Sequence, residues 1–372
     1  MKILITGGAG FVGSHTADTL LEKGHEVRVF DNLTPQVHGT NSQLPDYLTR
    51  EVEFIRGDVR DRDALKGALK GVNAVYHLAA AVGVGQSMYE VYEYVSVNSL
   101  GGAVLLDILA KEKHSVEKVI VASSMSIYGE GQYQCVDCGV VFPKLRTNSQ
   151  LESRDWEMRC PHCQKTVLPM PTNEEKPLFP TSIYAITKRD HEETFLNIGR
   201  TYNIPAVALR YFNIYGSRQA LSNPYTGVSA IFCSRYLNHK PPIVFEDGNQ
   251  SRDFTHISDI VQANLLALEK EEANYEMFNV GTGTQMSICQ VGNMLRDRLA
   301  PDLELQILGQ YRAGDIRHCY ADISKIKQML GYMPRVSFKD GMDELIEWVR
   351  TQEAVDLVEK AKAQLMERKL VK

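Results

Sequence analysis

Lys2-Ile3-Leu4-Ile5-Thr6-Gly7-Gly8-Ala9-Gly10-Phe11-Val12-Gly13 stands at the start of the chain and decides how the rest is read. Its first five residues are a short β-rich run. After the glycines comes a helical pattern with Ala17, Leu20 and Leu21 on one face, ended by Gly24. A glycine-rich turn between strand and helix lets backbone N–H groups approach a pyrophosphate, and the helix N-terminus adds a partial positive charge. Gly7, Gly10, Phe11, Val12 and Gly13 are therefore expected around a dinucleotide.

Working outward, the run Glu26–Phe30 ends in Asp31, eighteen residues beyond Gly13, with Asn32 next to it. A carboxylate at that strand end accepts ribose hydroxyls and repels a 2′-phosphate, so NAD is favoured over NADP. Further apolar runs at Val52–Arg56, Ala74–His77, Lys118–Ala122 and Pro205–Arg210 alternate with helical segments, and Phe278–Gly281 reads as a returning strand. This alternation predicts an α/β protein built on a Rossmann-type, doubly wound parallel sheet. The expected layout is a dinucleotide domain in 1–131 and 172–212, an insertion in 132–171, a smaller substrate lobe with returning sheet elements in 213–350, and a surface helix in 351–372.

The bulk numbers limit the function classes. With 41 basic against 46 acidic residues the formal net charge is -5, which supplies no basic face for nucleic acid. The N-terminal apolar run is too short for a signal peptide or membrane span, so a cytoplasmic protein with no membrane partner is expected.

Five motifs in order carry a family resemblance: Thr6–Gly13, Gly57-Asp58-Val59, His77-Leu78-Ala79-Ala80, Ser123-Ser124 through Tyr128-Gly129, and Tyr184-x-x-x-Lys188. Together they resemble the extended short-chain dehydrogenase/reductases, and within them the nucleotide-sugar epimerases and dehydratases. The similarity covers nearly the whole chain apart from Gln132 to Pro171. It implies that Asp58 and Val59 border the adenine and Ala79 the dinucleotide phosphates. It also implies a homodimer, paired through helices near Val91–Lys111 and Tyr184–Tyr202.

The chemistry rests on Ser124, Tyr184 and Lys188. Tyr184 and Lys188 are four apart and share a helix face. A neighbouring ammonium favours the phenolate, and moving a phenol from about 10 to about 7 requires roughly 4 kcal/mol. Such a phenolate takes a proton from a sugar hydroxyl while hydride leaves for the cofactor, with Ser124 bonded to the same oxygen. In the resembling dehydratases, Asp and Glu follow the catalytic Ser or Thr. Here Met125 and Ser126 stand there, so the ketone is expected to be reduced again, with Ser126 beside the substrate.

By the same resemblance, Asn213 of an Asn-x-Tyr-Gly motif, Arg252 and Arg312 meet the substrate diphosphate, and Asp315 the nucleoside ribose. The expected activity is an NAD-dependent nucleotide-sugar 4-epimerase. The phrases Pro35–Gly39, Ala80–Tyr89 and Ala220–Gly227 are similar to those of dTDP-L-rhamnose 4-epimerases. UDP-sugar 4-epimerases, nucleotide-sugar dehydratases and a non-catalytic NAD-sensing protein are the alternatives.

Seven cysteines do not suit a complete disulfide framework. Cys135-x-x-Cys138 and Cys160-x-x-Cys163 have the spacing of two zinc knuckles, predicting a structural zinc held by four thiolates. Two disulfides or a redox pair are the rivals, the first disfavoured in a reducing compartment. The polar run between the knuckles (Arg146, Glu152, Arg154, Asp155, Glu157) is expected to form little core without metal, and the insertion to cap the sugar pocket or shape a subunit contact.

Overall fold

The apolar runs become a seven-stranded parallel sheet. In chain order its strands are β1 (Lys2–Thr6), β2 (Glu26–Asp31), β3 (Glu53–Arg56), β4 (Ala74–His77), β5 (Lys118–Ser124), β6 (Ala206–Tyr211) and β7 (Met277–Val280). Their spatial order is β7-β6-β5-β4-β1-β2-β3. The computed structural model describes residues 1–39 and 43–372. This is the Rossmann-type arrangement, and the order reverses at β1, where a crevice opens beyond the carboxyl ends of β1 and β4.

Helices cover both faces, so the central strands are apolar throughout. Alternate residues feed two cores: Ile3, Ile5, Val29, Tyr76 and Ile120 pack on one side, and Leu4, Phe30, Val75, Val119 and Val121 on the other. A third core, around Phe232, Phe254, Leu295 and Leu345, belongs to the C-terminal lobe.

β5 runs two residues further than its apolar composition predicts, through Ser123 and Ser124, which pair with Arg210 and Tyr211 of β6. A buried polar cluster makes this possible. Glu192 accepts hydrogen bonds from Ser123 Oγ and Arg210 Nε, both at 2.9 Å. Arg210 Nη1 also donates to Tyr128 Oη at 2.7 Å and to the Glu174 carbonyl at 3.0 Å.

The helical run Val91–Lys111 is long and apolar enough to cross a membrane, yet half of its apolar window is buried in the protein. It contains a π-helical turn at Val95–Leu100 and packs against the helix Ile183–Tyr202. Val91, Tyr92, Val95, Leu100 and Ile186 remain exposed on this face.

Two expectations need correction. The segment beyond Gln352 is not simply a surface helix: Val358–Glu367 packs over the crevice, and Lys372 exchanges backbone hydrogen bonds with Tyr311 at 2.9 and 3.0 Å. The insertion forms a three-stranded antiparallel sheet from Gln132–Cys135, Gly139–Val141 and Leu168–Met170. It does have a core, of Tyr133, Cys135, Val141, Met158, Cys160 and Val167, which the polar run between the knuckles conceals.

Glu192→Ala strands the Arg210 guanidinium without its buried partner. Removing one member of such a pair costs about 3–5 kcal/mol, so the urea midpoint should fall accordingly.

Candidate active site

The crevice is a cavity of about 670 Å³. At its dinucleotide end Gly7 has φ +71, and a Cβ there would sit 2.7 Å from the Ala79 nitrogen; one on Gly13 would sit 2.5 Å from the Gly7 oxygen. Only hydrogen fits, which keeps the turn close and the cradle open. The helix Phe11–Glu22 begins without a side-chain cap and without an acidic residue in its first turn. Its N–H groups are thus left for an anion.

Asp31 closes β2, its oxygens accepting from Ala9 N at 3.1 Å and Leu33 N at 2.9 Å. Asn32 Nδ2 donates to Asp58 at 3.2 Å. Arg60, which sequence reading missed, grips Asp58 and holds its carboxyl down to about 2. Asp58, Val59 and Ala79 line the cavity with the glycine turn, Phe11 and Val12. The Asn98 side chain, also missed, bonds both the N–H and the carbonyl of Ala81 and accordingly fixes the loop after β4. An open glycine cradle, an uncapped helix start and a strand-end carboxylate fit NAD, whose pyrophosphate would meet the glycines and whose ribose Asp31.

Ser124 ends β5 and caps the short turn Met125–Tyr128, its Oγ accepting from Ser126 N at 3.2 Å and from Ser126 Oγ at 3.0 Å. Ser182 caps the helix Ile183–Tyr202 through Ala185 N at 3.1 Å. Tyr184 lies in that first turn, half-buried, with Ser124 across the same cavity. One turn on, Lys188 Nζ donates to the Ala122 carbonyl at 2.9 Å. All three predicted groups line the same cavity.

Burial pushes the Tyr184 phenol up, opposed by the Ser124 hydroxyl, and pulls Lys188 down to about 7. Behind Lys188, burial and then the ammonium charge bring His77 down to about 3, and burial keeps His191 well below its ordinary value. Desolvation penalises both ions here, so a positive charge brought beside the phenol would favour the phenolate.

At the other end, Asn213, Arg252, Arg312 and Asp315 all line the cavity. Asn213 Oδ1 is buried without a hydrogen-bond partner among the described residues. Arg252 donates to the carbonyls of Ser251 (2.7 Å), Arg317 (3.0 Å) and Ile316 (2.8 Å). Arg312 Nε is bonded to Asp315 Oδ2 at 2.7 Å, with the guanidinium 4.8 Å from the Phe245 ring centre. The Asp315 carboxylate meets Arg312 through Oδ2 while lining the cavity. Sequence reading missed the far wall, where Val358, Ala361, Lys362 and Leu365 face the loop containing Asn223 and Tyr225. Apolar spacing in the tail was the available signal. Among the described residues none from 132 to 171 lines the cavity, so the insertion does not cap the sugar pocket here.

The sulfurs of Cys135, Cys138, Cys160 and Cys163 lie within 4.8 Å of one another, and all four are free thiols. Zinc at bonds of about 2.3 Å in a tetrahedron spaces its sulfurs by roughly 3.8 Å. The sulfurs of Cys135 and Cys163 are 3.5 Å apart. The donor set fits a closed structural site.

A dinucleotide cradle beside a Ser–Tyr–Lys set on this sheet defines an enzyme of the extended short-chain dehydrogenase/reductase class. Known proteins agree. The NAD dependent epimerase/dehydratase family matches residues 3–148, and the GDP-mannose 4,6 dehydratase family residues 166–345. A dTDP-L-rhamnose 4-epimerase of Burkholderia thailandensis is 35% identical over 94% of this chain and 94% of its own. The UDP-glucose 4-epimerase of Thermotoga maritima, solved with UDP-glucose, superposes with a TM-score of 0.76 at 31% identity, covering 94% and 99% of the two chains. The Bacillus cereus UDP-glucuronic acid 4-epimerase, solved with UDP-glucuronic acid and NAD, gives 0.75 at 29%, again over 94% and 99%. The chain belongs to the NAD dependent epimerase/dehydratase family and is an isomerase of the nucleotide-sugar 4-epimerase kind.

Two outcomes follow from the geometry. Asp31→Ala should weaken NAD about tenfold or more and narrow its preference over NADP, read by titrating each cofactor. Lys188→Met removes the cation beside the phenol, so the pH of half-maximal kcat should rise by about one unit or more in a pH–rate profile.

Proposed function

We propose that the enzyme inverts C4 of dTDP-L-rhamnose, giving dTDP-6-deoxy-L-talose. The observation carrying the chemistry is that Ser124, Tyr184 and Lys188 line one cavity, with Tyr184 and Lys188 one helical turn apart and Lys188 Nζ anchored on the Ala122 carbonyl at 2.9 Å. NAD, which the glycine turn and Asp31 would hold, would supply a hydride acceptor and a positive charge. Tyr184 Oη takes the C4 hydroxyl proton and later returns it, while Ser124 Oγ donates to the same oxygen. Lys188, as the ammonium, stabilises the phenolate, and Ser126 keeps Ser124 turned toward the sugar. Met125 and Ser126 bring no acid or base for eliminating water, which favours re-reduction of the ketone on its opposite face over dehydration. Asn213, Arg252 and Arg312 receive the diphosphate, for which a guanidinium fork is suited.

The choice of dTDP-L-rhamnose is supported by the relative at 35% identity and by the phrases at Pro35–Gly39, Ala80–Tyr89 and Ala220–Gly227. A UDP-sugar 4-epimerase is the second reading, favoured by solved neighbours that hold UDP-glucose and UDP-glucuronic acid. The structural partners of this reading are a zinc ion at Cys135, Cys138, Cys160 and Cys163, and a second copy of the chain on the face of Val91, Tyr92, Val95 and Leu100. The setting is the cytoplasm, where such thiolates stay reduced.

Incubation with dTDP- and UDP-sugars, followed by NMR, tests the substrate. Inversion at C4 of dTDP-L-rhamnose without added cofactor is expected; turnover of UDP-sugars alone selects the second reading. Tyr184→Phe should slow turnover by roughly a hundred- to ten-thousand-fold with NAD still bound, and parental turnover would sink the mechanism. Elemental analysis should find one zinc per chain, and Cys160→Ser should lower that content.

A further inference from the structure

The insertion lies outside the cleft, yet its polar side chains reach the backbone on which the diphosphate arginine rests. Arg146, inside the insertion, pairs both terminal nitrogens with Glu246 at 2.8 Å, and each of these side chains is only 2% exposed. Its Nη2 also approaches the Asp315 carbonyl at 3.4 Å. Glu246 is held at φ +55, a left-handed backbone uncommon outside glycine, by backbone bonds to Gln310 and Gly309. Glu246 also accepts from Arg317 Nη1 at 3.0 Å.

Arg317 is fully buried and is the hub of this network. Its guanidinium meets Asp247 at 2.6 and 3.0 Å and Glu157 of the insertion. Glu130, at the stem of the insertion, accepts from Arg317 N at 2.6 Å and from Tyr133 Oη at 2.7 Å. The other stem pairs Thr172 N with the Tyr320 carbonyl at 2.8 Å. The insertion thus grips 315–320 from both ends and through two long side chains.

The same segment aims Arg252. Its three bonds go to Ser251, Ile316 and Arg317 carbonyls through Nη1 and Nη2. That leaves Nε–H and one Nη2–H, the two donors along one edge of the fork, for phosphate oxygens. Glu157 is in turn fixed from the metal side: its neighbour Met158 is in the insertion core with Cys135 and Cys160, and the Met158 carbonyl accepts from Val167 N at 3.0 Å.

We propose that the cysteine-bearing insertion is a buttress for diphosphate recognition. Arg146 and Glu157 are positioning residues that hold 315–318 and, through those carbonyls, the Arg252 guanidinium. Closing the four-cysteine cluster therefore tightens nucleoside-diphosphate binding without touching the reacting carbon. This rests on the reading of Arg252 as a diphosphate ligand.

The test is calorimetric titration of the full-length protein with UDP and with dTDP, alongside KM and kcat for the sugar that turns over, bound NAD and zinc content. Arg146→Met and Glu157→Gln should each weaken diphosphate binding and raise KM by about tenfold, with kcat and NAD content close to parental. Arg146→Lys should restore part of the loss. Added to Arg252→Ala, Arg146→Met should cost little more, because both act on one contact. Cys160→Ser should lose zinc and diphosphate affinity together. Glu157→Gln keeps size and shape, so it serves where Arg146→Met does not fold. Parental binding in Arg146→Met and Glu157→Gln, with binding lost in Arg252→Ala, overturns the buttress and leaves the diphosphate reading standing. Parental binding in Arg252→Ala overturns both. Loss of NAD and kcat in step with binding would show general disruption and also overturn it.

Discussion

The register between the end of β5 and one face of the helix Ile183–Tyr202 governs this molecule. Two consecutive strand residues are tied to two helix residues spaced one turn apart. The Ala122 carbonyl accepts from Lys188 and Ser123 donates to Glu192, which brings Ser124 and Tyr184 to one cavity. Positions four apart lie on one helix face, so these ties act as a ladder. Glu192 is satisfied a second time by Arg210 from the adjacent β6, and that locks the ladder to the sheet. Because the ladder is buried, slippage by one residue would leave a charge unpaired. The reactive groups are thereby positioned by elements with little freedom to move.

The same burial sets the electrostatics. Burial disfavours the Lys188 ammonium and the Tyr184 phenolate alike, and lowers His77 and His191 behind them. Interactions made there are stronger than in water, because the surroundings are poorly polarisable. The ordered backbone at Ala81, fixed by Asn98, adds rigidity to the wall opposite.

The substrate end is built differently, from distant pieces of chain. Arg252 rests on carbonyls of 316 and 317, Arg312 is braced by Asp315, and the C-terminal tail adds backbone bonds to Tyr311 and Ala313. The insertion anchors the same stretch through a network of buried charges around Arg317. Such networks contribute little net stability compared with apolar packing, but they demand a single arrangement. Geometry suited to holding a diphosphate is what they leave behind.

Local pattern was enough for much of this. The glycine turn, Asp31, the alternating strands, the five ordered motifs and the paired cysteines were readable because each depends on neighbours within one turn or one strand–helix unit. The same cannot be said of Asn98, Glu192 or Arg317: buried polar residues with no periodic signature, each defined by a partner remote in sequence or by the loop it braces. The tail was read as a surface helix because its apolar spacing says only that one side is covered, not by what. The insertion was placed correctly between Ser124 and Tyr184, but its role was not legible, since Arg146 and Glu157 look like solvated charges until Glu246 and Arg317 arrive from far along the chain. Sequence alone determined the sheet, the glycine cradle and the residues proposed to react; tertiary structure decided their burial, their register and the bracing of Arg252 and Arg312. Desolvation and long-range ion pairing depend on three-dimensional neighbours, and no local spacing encodes those.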